Sequence, residues 1–527
     1  MSNADLTQMI LNFLKVINVK DIIVCAGARN LPFLTQLNQN QFQIKSYFEE
    51  RSAGFYAMGL AQATSAPVVI ITTSGTAVAE LLPCVIESYY QSIPIIVITA
   101  DRPKSFRGTG SPQTIDQSFI FKNYVESFYD WDVFETNHKV NFSFTKPIHF
   151  NICFDEPLID TLTVMNKKID FTTELSIFVA KYNLSIFEID LPLVIISKIN
   201  RSQQDQVIDF LENKKIFHIA EAQSGLIGHS ALKDFQINSI EAFMDQFFND
   251  GFKSVIRIGG VPTNRVWRDL ESKLQHVDVF NFTDTEFTGL SRFAQTGKIN
   301  DLQKLKINNQ YKKMSELNSR RIKLEKTKSD LLLEYKSSEP GFINQLSQLI
   351  QQNPIYIGNS LPIREWDLFS STSQSTDFLS QPVFANRGAN GIDGQISTYL
   401  GWARQFKYSW CVVGDLTTLY DLAALGLSQA NNGYRIVIIN NSGGQIFNRM
   451  FKQVDIKDKY LNPQNVQFSS WAEMWNWNYL KINSDIDLQQ LENLNSENTI
   501  IEIAPDPIQT QKFWLDWEQA CQNNRSE

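Results

Sequence analysis

Residues 414–427, GDLTTLYDLAALGL, followed after a short spacer by residues 435–447, RIVIINNSGGQIF, decide how this chain is read. The apolar run Cys411, Val412, Val413 stops at Gly414-Asp415, and Leu419, Leu422, Ala423 and Leu427 then recur at helical spacing. A second run, Ile436 to Ile439, rich in β-branched residues, ends at Asn440-Asn441 and a double glycine. Strand, helix and strand in that order predict a βαβ unit with a right-handed connection and parallel strands.

Both strand ends of such a unit open on one sheet edge, so Asp415 and Asn441 are expected side by side where open α/β sheets bind ligands. A carboxylate, a side-chain amide oxygen and a backbone carbonyl suit a hard cation, and Mg²⁺ completes such a set with water and phosphate oxygens. Asp415, Asn441 and Gly443 are therefore the candidate metal ligands. Gly443 and Gly444 let the backbone close on a diphosphate. Either half alone reads as an ordinary turn beside a strand; the two at this spacing read as a metal-diphosphate site.

The 527 residues exceed one hydrophobic core, so two to four domains are expected. With 43% hydrophobic and 20% charged residues the composition is that of an ordinary soluble globular protein. A net charge of −8 argues against a general nucleic-acid or membrane-surface binder. No apolar run approaches the roughly 18 residues that span a bilayer, so membrane insertion is not expected. The opening MSNADLTQMI lacks the basic and apolar regions of a signal peptide, which predicts a cytoplasmic protein. Cys25, Cys84, Cys153, Cys411 and Cys521 show no CxxC spacing, predicting reduced, buried thiols and no zinc site. His138, His149, His218, His229 and His276 fall in no motif and are read as structural.

The rest of the chain repeats the strand-then-helix pattern. Ile22 to Cys25 run into Ala26-Gly27-Ala28-Arg29-Asn30, and Tyr47 to Arg51 lead into SAGFYAMGLA, a helix expected to pack tightly through Ala53, Gly54 and Gly59. Glu50 stands at that strand-to-helix junction; by itself it reads as a first-turn glutamate favoured by the helix dipole. Thr73-Ser74-Gly75-Thr76 sits at another helix start, suited to capping and close ligand approach. LPLVIIS and KSVIRIGGVPTNRVW indicate a further α/β domain, and the mixed-charge stretch from about 300 to 338 a solvated helical connector. Ile355 to Arg364 read as a strand entering a turn, and the Gly-rich Phe384 to Gly394, taken alone, as a flexible loop. The expected architecture is α/β, with three doubly wound parallel-sheet domains: 1–175, 180–335 ending in the connector, and 340–527.

Gly-Asp, some 26 residues, then Asn-Asn resembles the signature of thiamine-diphosphate enzymes that decarboxylate 2-oxo acids. Leu416 where many of these have glycine, with Tyr420-Asp421-Leu422 and NNSGGQIF, is similar to one branch, the 2-succinyl-5-enolpyruvyl-6-hydroxy-3-cyclohexene-1-carboxylate synthases of menaquinone biosynthesis. The segments 67–103, 107–117 and 384–394 match the same branch. The resemblance implies pyrimidine-binding, central and diphosphate-binding domains in that order. It also implies thiamine diphosphate with Mg²⁺ or Mn²⁺, and a homodimer or homotetramer whose active sites are shared between subunits.

By the same resemblance Glu50 is the catalytic residue. It hydrogen-bonds N1′ of the aminopyrimidine, which requires a carboxyl of raised pKa in an apolar pocket. Thr73, Ser74, Gly75, Ile392, Asp415, Leu416, Asn441, Gly443, Gly444, Gln445 and Ile446 contact the cofactor, with Ile392 as the wedge that bends it. Arg29, Arg102, Gln113, Arg265, Ser360, Arg364, Arg387, Phe447 and Met450 meet the substrates. Ala28 replaces the family's serine, and Asn264-Arg265-Val266 keeps one of two basic residues. For Arg102 the plain alternative is a salt bridge to Asp101 or another carboxylate; for Ile446, Phe447 and Met450 it is core packing. The implied activity is decarboxylation of 2-oxoglutarate and conjugate addition of the resulting carbanion to isochorismate. Both are dicarboxylates, which five arginine forks suit. An acetolactate-synthase-like decarboxylase or carboligase and an inactive homologue are the alternatives.

Overall fold

In the computed structural model, residues 1–526 are described except 136–137, 144, 162–168, 174–181, 186–187, 250, 311–313, 352, 371–380 and 451–456. The expected boundary at 175–180 lies outside the described residues.

The N-terminal third forms β1 (Asp21–Cys25), β2 (Gln43–Tyr47), α1 (Glu50–Thr64), β3 (Val68–Thr72), α2 (Leu82–Gln91), β4 (Ile95–Asp101), β5 (Ser127–Trp131) and β6 (Ile148–Cys153). Its six strands pair in parallel in the order β2-β1-β3-β4-β6-β5. Near-continuous β-branched runs explain this choice, since a parallel sheet is buried on both faces. Ile22, Val24, Val69, Ile71, Ile96 and Ile98 share one core with Leu6, Ile10 and Phe13 of the helix Asn3–Val16. The alternate residues Ile23, Ile70 and Val97 are equally buried, on the side where α1 runs along β1 and β3.

The middle of the chain forms β7 (Pro192–Ile196), α3 (Arg201–Lys214), β8 (His218–Ala220), β9 (Ser254–Ile258), β10 (Asp278–Phe282) and β11 (Gln295–Gly297), all pairs parallel in the order β8-β7-β9-β10-β11. The expected solvated connector is instead a half-buried helix, α4 (Met314–Glu334). Leu317, Arg320, Leu324, Lys328 and Leu332 are buried at three- and four-residue spacing, and the leucines join the central core. Its charge density hid that apolar seam.

The last third forms β12 (Ile355–Ile357), α5 (Leu361–Phe369), β13 (Val383–Phe384), α6 (Gln395–Ala403), β14 (Ser409–Gly414), β15 (Tyr434–Ile439), β16 (Asn478–Ile482), β17 (Thr499–Ile503) and α7 (Pro507–Ser526). Its sheet order is β13-β12-β14-β15-β17-β16, so β14 and β15 are neighbours as the βαβ reading requires. The connection between them departs from expectation: a helical turn, Asp415–Tyr420, gives way to a separate 3₁₀ turn, Ala424–Leu427. Asp421, fully buried, breaks the helix because its carboxylate accepts from Ser397 N at 2.7 Å, Ser397 Oγ at 2.9 Å and Ser52 Oγ at 3.3 Å. Leu422 is left exposed.

The chain divides into two compact units: Met1–Ile177 with Asn386–Lys407 and Thr417–Tyr434, and Phe178–Ala385 with Tyr408–Leu416 and Arg435–Glu527. The first unit takes up α6 through its crossing with α1. There a Cβ on Gly59 would overlap the carbonyl oxygen of Thr398, and one on Gly401 that of Tyr56. Among the described residues no helix is long and apolar enough to cross a membrane.

Gly401→Ala is therefore expected to destabilise the protein. Alanine gains about 1 kcal/mol in a helix interior, but overpacking against a fixed backbone costs about 1–3 kcal/mol or more. Urea unfolding showing a variant as stable as the parent would contradict the crossing.

Candidate active site

In the second unit, β14 delivers Asp415 to the sheet edge, 2% exposed. Its Oδ2 accepts from Gly443 N at 2.7 Å and Gln464 Nε2 at 2.8 Å, and its Oδ1 from Leu416 N at 2.7 Å. Burial raises this carboxyl, and these three donors pull it back down. Asn441 ends β15, and its Nδ2 donates to both oxygens of Glu339, at 3.2 and 3.0 Å. That contact fixes the amide with Oδ1 buried and accepting no hydrogen bond. Gly443 has φ +127°, and a side chain there would strike Leu461 O, so glycine is required. Gly444 N donates to Leu461 O at 2.6 Å, Gln445 Nε2 to Asn441 O at 3.1 Å, and Ile446 opens the short helix Ile446–Met450. Phe447 lies edge-on to Tyr460, and Met450 closes the helix with its side chain outside the described residues. A buried carboxylate beside an orphaned amide oxygen fits a hard cation.

In the first unit, Glu50 begins α1. The helix's free N–H groups are met by Glu49, whose carboxylate accepts from Arg51 N at 3.1 Å and Ser52 N at 2.9 Å. Glu50 is thus released from capping, and burial first, then the charge of Glu49, raises its carboxyl against the pull of its own N–H. Thr73 and Ser74 do not cap the helix that follows, contrary to expectation. Its N-cap is Gly75, at φ +88°, with no side-chain cap. Gly75 N donates instead to Gln117 Oε1 at 3.2 Å, while Thr73 Oγ1 is buried with no partner.

Arg29, 8% exposed, donates to Phe154 O at 3.3 Å and lies 3.5 Å from Glu156. Burial and then the positive charge of Arg102 lower its pKa, so the two guanidiniums share one electrostatic neighbourhood. Arg102 does not form the side-chain salt bridge to Asp101. Arg107 takes that carboxylate at 3.0 Å, leaving Arg102 Nε on Pro112 O at 3.2 Å. Gln113 is exposed, at φ +53°. Arg387 and Ile392 are half-buried in the same unit.

The two candidate arginines of the second unit, Arg364 and Arg265, lie outward. Arg364 is exposed, with Nη1 on Ser360 O at 2.6 Å, and Ser360 itself has φ +74°. Arg265 is 53% exposed and pairs with Asp269 at 3.4 Å, whereas Val266 is core. All five cysteines are buried, and none forms a disulfide.

Sequence reasoning missed Glu339, Gln464 and Gln117, which hold Asn441, Asp415 and Gly75 by hydrogen bonds, and Glu49, which caps the helix that Glu50 begins. Only Glu49 carried a signal, as the acid just before a helix start; the others lie 42 to 102 positions from the group they hold.

Residues 4–120 match the family model described as the thiamine pyrophosphate enzyme, N-terminal TPP binding domain. The chain is 41% identical to the 2-succinyl-5-enolpyruvyl-6-hydroxy-3-cyclohexene-1-carboxylate synthase of Bdellovibrio bacteriovorus, over 98% of this chain and 99% of that one. It is 33% identical to the protein of the same name from Akkermansia muciniphila, over 94% of each chain. A third such synthase, from Flavobacterium psychrophilum, is 29% identical over 90% of this chain and 91% of its own.

The raised Glu50 carboxyl gives a pH signature. The folded chain holds that proton more tightly than the unfolded one, so ionising it costs stability as pH rises through the raised value. Glu50→Gln is expected to be the more stable form at neutral pH, with the difference vanishing below the ordinary glutamate range. Parallel unfolding curves for the two proteins at every pH would contradict a raised carboxyl.

Proposed function

The chain belongs to the 2-succinyl-5-enolpyruvyl-6-hydroxy-3-cyclohexene-1-carboxylate synthase family, and from that premise we propose that it decarboxylates 2-oxoglutarate and joins the remaining succinyl group to isochorismate in menaquinone biosynthesis. It is a thiamine-diphosphate-dependent enzyme. The orphaned Oδ1 of Asn441, locked beside buried Asp415, is the observation that carries the site reading. Asp415, Asn441 and the Gly443 carbonyl hold Mg²⁺ or Mn²⁺. Leu416, Gly443, Gly444, Gln445 and Ile446 surround the diphosphate. Thr73, Ser74, Gly75 and Ile392 contact the rest of the cofactor, Thr73 with its own unpartnered hydroxyl.

Bound thiamine diphosphate supplies the nucleophilic carbon and the electron sink for loss of CO₂. The chain's residues do the remaining work. Glu50 shares a proton with N1′ of the aminopyrimidine, for which a carboxyl of raised pKa is matched. Arg102 raises the cost of the charge on Arg29, and a substrate carboxylate between the two guanidiniums relieves it. Arg387, Arg364, Arg265, Gln113 and Ser360 provide further polar contacts, and Phe447 and Met450 apolar walls. Each charge-assisted hydrogen bond contributes about 1.5–3 kcal/mol, favouring dicarboxylates over pyruvate. The reading further includes three domains, 1–175, 180–335 and 340–527, a homodimer or homotetramer with sites shared between subunits, and a cytoplasmic location.

Purified protein with thiamine diphosphate and Mg²⁺ is expected to release CO₂ from 2-oxoglutarate at a rate that depends on isochorismate. Turnover of pyruvate in its place would move the chain to the acetolactate-synthase-like branch. Glu50→Gln is expected to keep cofactor affinity and lose at least about 100-fold in turnover, the scale of general acid–base catalysis; near-parental activity would remove Glu50 from the chemistry. Asp415→Ala is expected to abolish metal-dependent cofactor binding, read by fluorescence titration, and an unchanged affinity would mean the metal lies elsewhere.

A further inference from the structure

Glu87, in the middle of α2, is 4% exposed, yet neither the signature nor the chemistry above uses it. Its Oε1 accepts from Gly388 N at 2.7 Å and Gln91 Nε2 at 2.7 Å, and its Oε2 from Ala389 N at 2.6 Å. Two consecutive backbone N–H groups of a distant loop thus converge on one carboxylate. A buried carboxylate costs several kcal/mol unless such donors surround it. Burial raises this carboxyl, while the two N–H groups and the charge of Arg387 draw it back.

The loop lies flush on α2. A Cβ on Gly388 would come within 2.8 Å of Glu87 O, closer than real contacts allow, and 3.0 Å of Tyr90 Cβ, a tight contact. Beside it is a cavity of about 260 Å³, walled by Phe55, Leu82 and Ile86 on one side and Ala389, Gly391 and Asp393 on the other. Such space leaves the loop free to sag unless polar contacts hold it.

We propose that Glu87 is a positioning residue: its buried carboxylate pins the 387–393 loop on α2 and so sets where Arg387 presents its guanidinium to a substrate carboxylate. This rests on the reading of Arg387 as a substrate contact. A glutamine keeps one acceptor oxygen but turns an NH₂ toward the second N–H, so Glu87→Gln removes about half the clamp without changing its volume.

The test combines amide exchange of the ligand-free protein with steady-state kinetics. In E87Q, peptides covering 386–394 are expected to exchange about 10-fold faster while the rest of the first unit is unchanged. KM for a dicarboxylate substrate is expected to rise about 10-fold with kcat held within about 3-fold. Arg387→Ala is expected to raise the same KM, and E87Q/R387A to be within about 2-fold of R387A, because the two act as one. Unchanged exchange in E87Q, or additive effects in the double variant, would overturn the clamp. An Arg387→Ala protein with parental KM would overturn the substrate reading and the functional half of the proposal, while the exchange result judged the clamp separately. Should E87Q fail to fold, Gly388→Ala pushes the same loop off α2, its Cβ meeting Glu87 O, and is expected to raise exchange and KM alike; parental values would equally overturn the proposal.

Discussion

Where α1 crosses α6, backbone lies against backbone, and the first unit depends on that contact. Gly59 sits under the Thr398 carbonyl and Gly401 under the Tyr56 carbonyl, so neither helix has a side chain to hold the other at the usual 8–10 Å interaxial distance. The consequence reaches far along the chain. Residues 386–407, some 330 positions after α1, belong to the N-terminal unit. Arg387 and Ile392 therefore share one body with Glu50, Arg29 and Arg102.

Directionality in both units comes from buried acids. Asp421, Asp415, Glu339 and Glu87 are 0%, 2%, 2% and 4% exposed, and all four accept hydrogen bonds from a segment remote in sequence. Apolar packing is non-directional and tolerates sliding. A buried carboxylate tolerates neither an absent donor nor a misplaced one. Loops with few apolar residues, such as 387–393 and 441–445, are the ones so held. Asn441 shows the gain: Glu339 accepts both amide contacts and leaves Oδ1 buried with no hydrogen bond.

Much of this was legible in the sequence. The β-branched runs at 22–24, 68–71, 95–98 and 436–439 announce buried parallel strands because period and composition are local properties of a few residues. The same holds for Gly414-Asp415 and Asn440-Asn441, whose spacing places both at one sheet edge. The helix expected over 415–427 fails for a tertiary reason. Local periodicity favours it, but Asp421 finds Ser397 and Ser52 in the fold, and three charge-stabilised hydrogen bonds outweigh a few turns of propensity.

What the sequence by itself determined is the α/β class, the strand-end positions of Asp415 and Asn441, and the helix-start position of Glu50, since each follows from neighbours within about one element length. Tertiary structure alone decided that Asn441 Oδ1 accepts no hydrogen bond, that the Arg107 side chain rather than that of Arg102 takes Asp101, that Glu49 and not Glu50 caps α1, and that the charged helix α4 hides an apolar seam. Each of these is a competition among partners for one donor, acceptor or surface. Its outcome depends on groups that meet only when segments tens to hundreds of residues apart are folded together.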